Sequence, residues 1–412
     1  MLVSKASIRA VYFLIPIGFM LMAYIPSPKG DDKRPKPTPY HFTMPSILMP
    51  VTSPEDNQPT EEGVALGRKL FYDPILSGNK KQSCASCHKQ ELAFTDGMAI
   101  STGSLGRKAH RNSIALVNLG WQDKYFWDGR ASTLEDLIHF PVTDSLEMNA
   151  NINEIVKDLN KDKKYKALFR GAFSNDTIIM PLVAKAISQF LRTIVSYSSP
   201  FDLIYRDYVA HPDDVAYTNK KNKVPYIDDR QLLLNGLANG NEYSYGHDSS
   251  LAKQIIAISP SERVLTIFAK CLNCHYISFQ LFCGGCDGTI GSFAKVQFKN
   301  NGLETEGTDM GLYEQTKNEK DKYLFKVPTF RNVLFTGPYM HDGRFKTLDE
   351  VVEHYNSGIA PNQNLDTLLL DEHKKPIRFH MTEEEKKQLI SLIKLFTDST
   401  VMTNPRFAAP KE

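Results

Sequence analysis

Two short runs carry the same reactive pattern. Cys84-Ala85-Ser86-Cys87-His88 and Cys271-Leu272-Asn273-Cys274-His275 both read C-x-x-C-H, the spacing that attaches a c-type haem. Two thiols two residues apart on a helical turn can add to the two vinyl groups of one porphyrin. The imidazole that follows then reaches the iron as proximal ligand. A zinc site or a redox dithiol draws on the same residue types, but no further Cys/His pair completes a tetrahedral set. Cys283 and Cys286 enclose two glycines and are followed by Asp287 rather than His. They are expected to close a local disulfide in an oxidising compartment, not to hold haem.

The chain that carries this chemistry repeats itself. Trp127-Asp-Gly-Arg130-Ala-Ser-Thr133 matches His341-Asp-Gly-Arg344-Phe-Lys-Thr347 at a constant offset of 214 residues, and Arg111-Asn112 and Arg331-Asn332 precede the two copies in the same order. In each copy Asp-Gly predicts a turn and the Thr predicts a helix cap, completed by a carboxylate three residues on. Arg130 and Arg344 either pair with haem propionates or anchor the turn through a salt bridge. One matched position differs in a way that matters, with Tyr355 in the second copy and Pro141 in the first. A phenolate can bind ferric iron and a proline cannot. If this position faces the distal side, the second iron is held by His275 and Tyr355, and the first by His88 alone with an open face. The plain alternative for Tyr355 is a helix-end aromatic before Asn356-Ser357-Gly358.

These groups need a scaffold. Val183, Ile187, Phe190, Leu191 and Ile194 recur at helical spacing, as do Leu389, Leu392, Ile393 and Phe396, and Thr382 with Glu385 supplies a capping box. Long alternating strands are absent, which predicts a mainly α fold with long loops. The repeat divides it into two cytochrome c-like haem domains from an internal duplication, residues 60–204 and 261–400. Residues 205–260, with Lys220, Lys221 and Lys223 and a Gly/Asn/Tyr-rich patch, are expected as an inserted solvated loop. Residues 26–59 hold nine prolines and predict an extended linker. In residues 1–25, Lys5 and Arg9 precede an apolar stretch broken only by Pro16 and Gly18, the pattern of an export signal or an uncleaved membrane anchor. The 412 residues are 42% hydrophobic and 23% charged, with a formal net charge of +2. That balance excludes a disordered, collagen-like or multi-span membrane chain and provides no broad basic field for nucleic acid.

Between residues 60 and 400 the chain resembles the bacterial di-haem cytochrome c peroxidases, and within them the MauG-type branch. The resemblance rests on the two C-x-x-C-H motifs, Tyr125-Phe-Trp-Asp-Gly-Arg130, Val327-Pro-Thr-Phe-Arg-Asn332, Gly337-Pro-Tyr-Met-His-Asp-Gly343 and Val351-Val-Glu-His-Tyr355. The position matching Tyr355 is methionine in the peroxidase branch and tyrosine in the MauG-type enzymes, which implies axial ligation by Tyr355. Met340 matches a motif residue and not the ligand. Glu147 falls where the family has a distal carboxylate, suited to take a proton from bound peroxide and return it to the leaving oxygen. Trp127 matches the tryptophan between the haems. The Asn112 side chain and the Thr336 and Pro338 carbonyls match a calcium site of hard oxygen donors.

The departures from the family are specific. Leu137 stands where a glutamine is usual. Ser104 sits where the peroxidases carry a distal histidine that blocks the first haem, with His110 nearby as a substitute. Without that block, activity without prior reduction is expected. Ala269 replaces the surface tryptophan through which MauG oxidises its protein substrate. The expected function is an exported, periplasmic peroxidase, released or held at the inner membrane. It carries two c-type haems and one calcium and draws electrons from a small cytochrome c or a cupredoxin. The alternatives are peroxide-driven oxidation of a partner protein or organic molecule, and a pure di-haem electron carrier.

Overall fold

Thr60 starts the first long helix, α1 (Glu61–Tyr72), by accepting the Gly63 N–H on its hydroxyl, one of the donors that a helix start leaves unpaired. The computed structural model describes residues 36–45, 48, 50–203, 258, 260–275 and 296–411. The candidate signal, nearly all of 205–260 and the Cys283/Cys286 pair lie outside the described residues.

The periodic stretches form the expected helices, and the fold is mainly helical. In α6 (Met180–Thr193) and its C-cap, Val183, Ile187, Phe190, Leu191 and Ile194 are at most 1% exposed, each contributing about 1.5–3 kcal/mol of burial. This face packs on α1, with α3 (Leu134–Thr143), α4 (Ile152–Lys161) and α5 (Lys163–Phe173) completing a first core around Phe71, Phe94 and Phe169. Gly67 permits the close crossing of α1 and α6, because a Cβ there would lie 1.9 Å from the Ala186 carbonyl oxygen. Gly67→Ala is therefore expected to lower stability by about 1–3 kcal/mol, measurable by denaturant unfolding.

A second core forms where α7 (Glu262–Cys274) and α8 (Leu348–Glu353) pack on α9 (Glu383–Lys394), burying Leu389, Leu392, Ile393 and Phe396. The Thr382/Glu385 capping box closes as predicted. Among the described residues the single ladder is short: β1 (Phe298–Lys299) pairs antiparallel with β2 (Phe325–Lys326), Phe298 opposite Lys326. The chain crosses between the cores, since Val401 and Phe407 enter the first while Leu48 and Phe201 enter the second. At this crossing Arg331 and Asp202 form a bidentate pair of 2.6 and 2.8 Å, with side chains 2% and 4% exposed. Burial alone would raise the Asp202 carboxyl, but Arg331 and Ser199 hold it below the usual carboxylate range. Asp202→Asn leaves a buried guanidinium short of its anion and is expected to cost about 3–5 kcal/mol, read as a lowered denaturation midpoint.

The proline-rich stretch, expected as an extended linker, makes specific contacts in its described residues. Its described residues include a 3-10 turn, Glu55–Asn57, and they lie against the body. Asn57 is buried and accepts from Gln189 Nε2 at 2.8 Å, and the Thr38 carbonyl accepts the Glu61 N–H at 2.8 Å. A few non-proline side chains anchor a run whose composition alone reads as a tether.

The local backbone repeats at the offset of 214. Asn118 and Asn332 take left-handed φ of 57° and 59°, Phe126 and Met340 of 62° and 75°, and Gly129 and Gly343 of 71° and 65°. Bridges Tyr125–Ala131 and Tyr339–Phe345 close the two turns, and Thr133 and Thr347 cap the helices that follow. The structural partner of Asn332 is thus Asn118, not Asn112 as the order of the Arg-Asn pairs implies. Asn118 bonds Ile194 and Ser196 just past α6, and Asn332 bonds Phe396 and Asp398 just past α9. In each half an asparagine ties the loop to the end of the last helix.

Candidate functional site

Cys84 and Cys87 occupy a one-turn helix, α2 by position (Cys84–Cys87), braced by a 3.0 Å bond from the Ser83 N–H to Ser86 Oγ. They line a cavity with His88, Arg130, Leu137, Pro141 and Glu147. Cys271 and Cys274 lie in the last turn of α7, with His275 as its C-cap, and open onto a second cavity. Each histidine is oriented in the same way: His88 Nδ1 is 2.8 Å from the Phe94 carbonyl oxygen, and His275 Nδ1 is 2.8 Å from that of Pro328. A carbonyl only accepts, so Nδ1 carries the proton and Nε2 keeps its lone pair. Burial lowers the pKa of both rings, that of His275 to about 4. Phe330 stacks on the His275 ring at 4.1 Å. Burial pushes the Cys84 and Cys271 thiols up to about 12 and those of Cys87 and Cys274 up to about 11. None of the four is in a disulfide. Among the described residues no group of three or more His, Cys, Asp or Glu is arranged around a metal position. Two neutral thiols and one free imidazole lone pair on each cavity fit a thioether-linked haem.

The distal walls differ. Beyond α8 the helix widens into a π-turn, His354–Gly358, a distortion common at functional sites. Tyr355 on that turn lines the cavity of His275, whereas its counterpart Pro141, within α3, lines the cavity of His88. The Tyr355 hydroxyl is 3.4 Å from Asn301 Nδ2, which also lies 3.3 Å from Met340 Sδ. Burial raises the phenol pKa well above its ordinary value, so a bound metal would have to supply the charge stabilisation that a phenolate needs.

Glu147 is held on the first cavity by its own backbone. Its carbonyl accepts the Ser104 N–H at 2.6 Å, and the next N–H, of Met148, donates to the Pro141 carbonyl at 3.0 Å. Burial, with Asp144 adding to it and Arg130 opposing, raises the Glu147 carboxyl to about 6. Gly103 makes this contact possible, because a Cβ there would fall 2.1 Å from the Leu146 and 2.6 Å from the Glu147 carbonyl oxygen. Gly103→Ala should displace the Glu147 loop and cut turnover by about tenfold or more, a steady-state measurement on the holoprotein. Ser104 turns its hydroxyl to the Met148 carbonyl at 3.0 Å, while His110 and Leu137 line the cavity.

Trp127 and Asn112 line both cavities and form a shared wall. Trp127 Nε1 donates to the Asn112 carbonyl at 2.9 Å, and its ring meets His341 edge-on at 6.5 Å. His341 in turn stacks on Phe325 at 3.7 Å. Arg111 ties the same wall to Asp128 and Asp309, both at 2.7 Å. Asn112, Thr336 and Pro338 line the second cavity together. Asn112 Nδ2 is spent on the Met98 and Ala99 carbonyls at 2.9 and 3.2 Å, which leaves Oδ1 as an acceptor suited to a hard cation.

The two turn arginines part company. Arg130 lines the first cavity, 3.2 Å from Asp128 and with its guanidinium 3.7 Å over the Phe126 ring. Arg344 is absent from the wall of the second cavity and pairs with Asp342 at 2.6 Å and with Glu304. For Arg344 the geometry is that of the turn anchor. Asn301 and Lys326, which no spacing singles out, line the second cavity instead.

Comparison with known proteins follows the same lines. The family model of di-haem cytochrome c peroxidases matches residues 61–209. The chain is 30% identical over 360 residues to the methylamine utilization protein MauG of Methylorubrum extorquens, covering 86% of this chain and 84% of that one. It is also 30% identical over 377 residues to the cytochrome-c peroxidase IdrP1 of Denitromonas iodatirespirans, covering 87% and 86%. Among solved structures, a MauG-like protein associated with microbial copper homeostasis superposes with a TM-score of 0.67 at 27% identity, over 90% of this chain and 99% of that one.

Proposed function

The chain belongs to the di-haem cytochrome c peroxidase family, and on that premise we propose that hydrogen peroxide is reduced to water at the His88 cavity with electrons entering through the His275 cavity. When bound, the two haems supply an iron that can take peroxide and an iron that stores an electron. The chain's own residues set which is which. His88 and His275 each offer Nε2 as proximal donor. Tyr355 caps the second site, and Pro141 leaves the first open. Glu147 accepts a proton from peroxide on a carboxylate oxygen and returns it to the leaving oxygen. Trp127, in the wall between the cavities, offers a π-system for electron passage, and Arg130 is placed to meet a propionate.

The observation that carries this reading is the pairing of Tyr355 and Pro141 at matched positions of the two cavities that hold the C-x-x-C-H motifs. The repeated turn backbone supports an internal duplication. The oxygen donors of Asn112, Thr336 and Pro338 suit one calcium ion. The basic, then apolar start of the chain supports export to the periplasm, and a small cytochrome c or cupredoxin suits the role of donor. A second reading, peroxide-driven oxidation of a partner protein or organic molecule, is favoured by Tyr355 itself and by the likeness to MauG, and opposed by Ala269. Steady-state peroxide turnover with a reduced small cytochrome c or copper protein separates the two. Rapid donor consumption supports the first reading, and oxidation of another substrate with little donor consumed supports the second.

A further inference from the structure

We propose that Lys326 is the anchor of the second porphyrin, pairing its ammonium with a haem propionate where Arg344 instead anchors its turn. This rests on the reading of Cys271, Cys274 and His275 as a haem site. Lys326 lies on β2, is 4% exposed, and lines the His275 cavity. Its Nζ donates to Gln122 Oε1, and no described carboxylate comes within salt-bridge distance of it; Asp123 acts on it only from farther away. The other basic groups around that cavity are satisfied or wet. Lys299 pairs with Asp366 at 2.7 Å, Arg331 pairs with Asp202, and Lys270 is exposed.

A buried cation without an anion is unfavourable unless a ligand supplies the charge. Burial already pulls the Lys326 ammonium down to about 8, and a carboxylate at Nζ would reverse that. The strand is also well placed, because the Lys326 N–H donates to the Trp127 carbonyl at 2.8 Å and so ties it to the wall shared by both cavities. A positive charge held there favours the ferrous over the ferric state of the neighbouring iron and raises its potential.

The test uses purified holoprotein as wild type, Lys326→Met and Lys326→Arg. Covalent haem is counted, the propionate bending modes are read by resonance Raman, and both haem potentials are read by spectroelectrochemistry. Lys326→Met is expected to keep two haems, shift the propionate modes and lower the potential of the His275 haem, with the His88 haem unchanged. Lys326→Arg should stay near wild type. Lys326→Gln, which keeps a polar end group, should show the same shifts if Lys326→Met does not fold. Unchanged propionate modes in the uncharged variants would overturn the pairing. A wild type with a single covalent haem would overturn the underlying haem reading instead, so the two failures are distinguishable.

Discussion

Glu147→Gln is expected to lower kcat for peroxide by about 10²–10⁴-fold, the usual worth of a positioned acid–base group, with both haems still attached. The amide keeps the size of the side chain but can neither accept nor return the proton. The expected pH dependence has a definite sign. Burial holds the Glu147 carboxyl near 6, and its work as a base needs the ionised form. Wild-type turnover should therefore fall as pH drops through about 6, and the variant should lack that acid limb. Were the variant to retain both the rate and the limb, Glu147 would have no part in proton transfer.

Tyr355→Met should have the largest effect on the second site. A hard phenolate favours ferric iron and a thioether favours ferrous iron, and axial ligands move haem potentials across about 0.8 V in total. Replacing one by the other is expected to raise the potential of the His275 haem by on the order of 0.1 V or more. Any absorption from phenolate-to-iron charge transfer should disappear with it. Access to higher oxidation states should fall, so oxidation of partner substrates should suffer more than simple peroxide reduction. An unchanged potential would mean that Tyr355 is the helix-end aromatic and no ligand.

How much of this was readable from the chain depends on how local each feature is. The C-x-x-C-H runs are legible because both thiols and the imidazole lie within five consecutive residues. Tyr355 is legible only through the repeat, which turns an ordinary aromatic into a difference from Pro141. The π-turn that carries it has no pattern of its own. The Arg-Asn pairing was misleading because position in order is not position in space: the structure matches Asn332 to Asn118 through their shared left-handed backbone. Arg344 and Lys326 show the limit most plainly. Both are long basic side chains, and only packing decides that Arg344 bends back to Asp342 while Lys326 enters the cavity. Likewise, proline content gives no sign of the anchoring of Asn57 and Leu48.

In the proposed arrangement one iron site is open and its neighbour is closed by a protein oxygen. Electron paramagnetic resonance of the ferric holoprotein, recorded before and after cyanide, tests it most directly. One high-spin signal that cyanide converts to low spin is expected, beside one low-spin signal that cyanide leaves untouched and that changes in Tyr355→Met. Two low-spin signals, both indifferent to cyanide, would contradict it and make the protein an electron carrier.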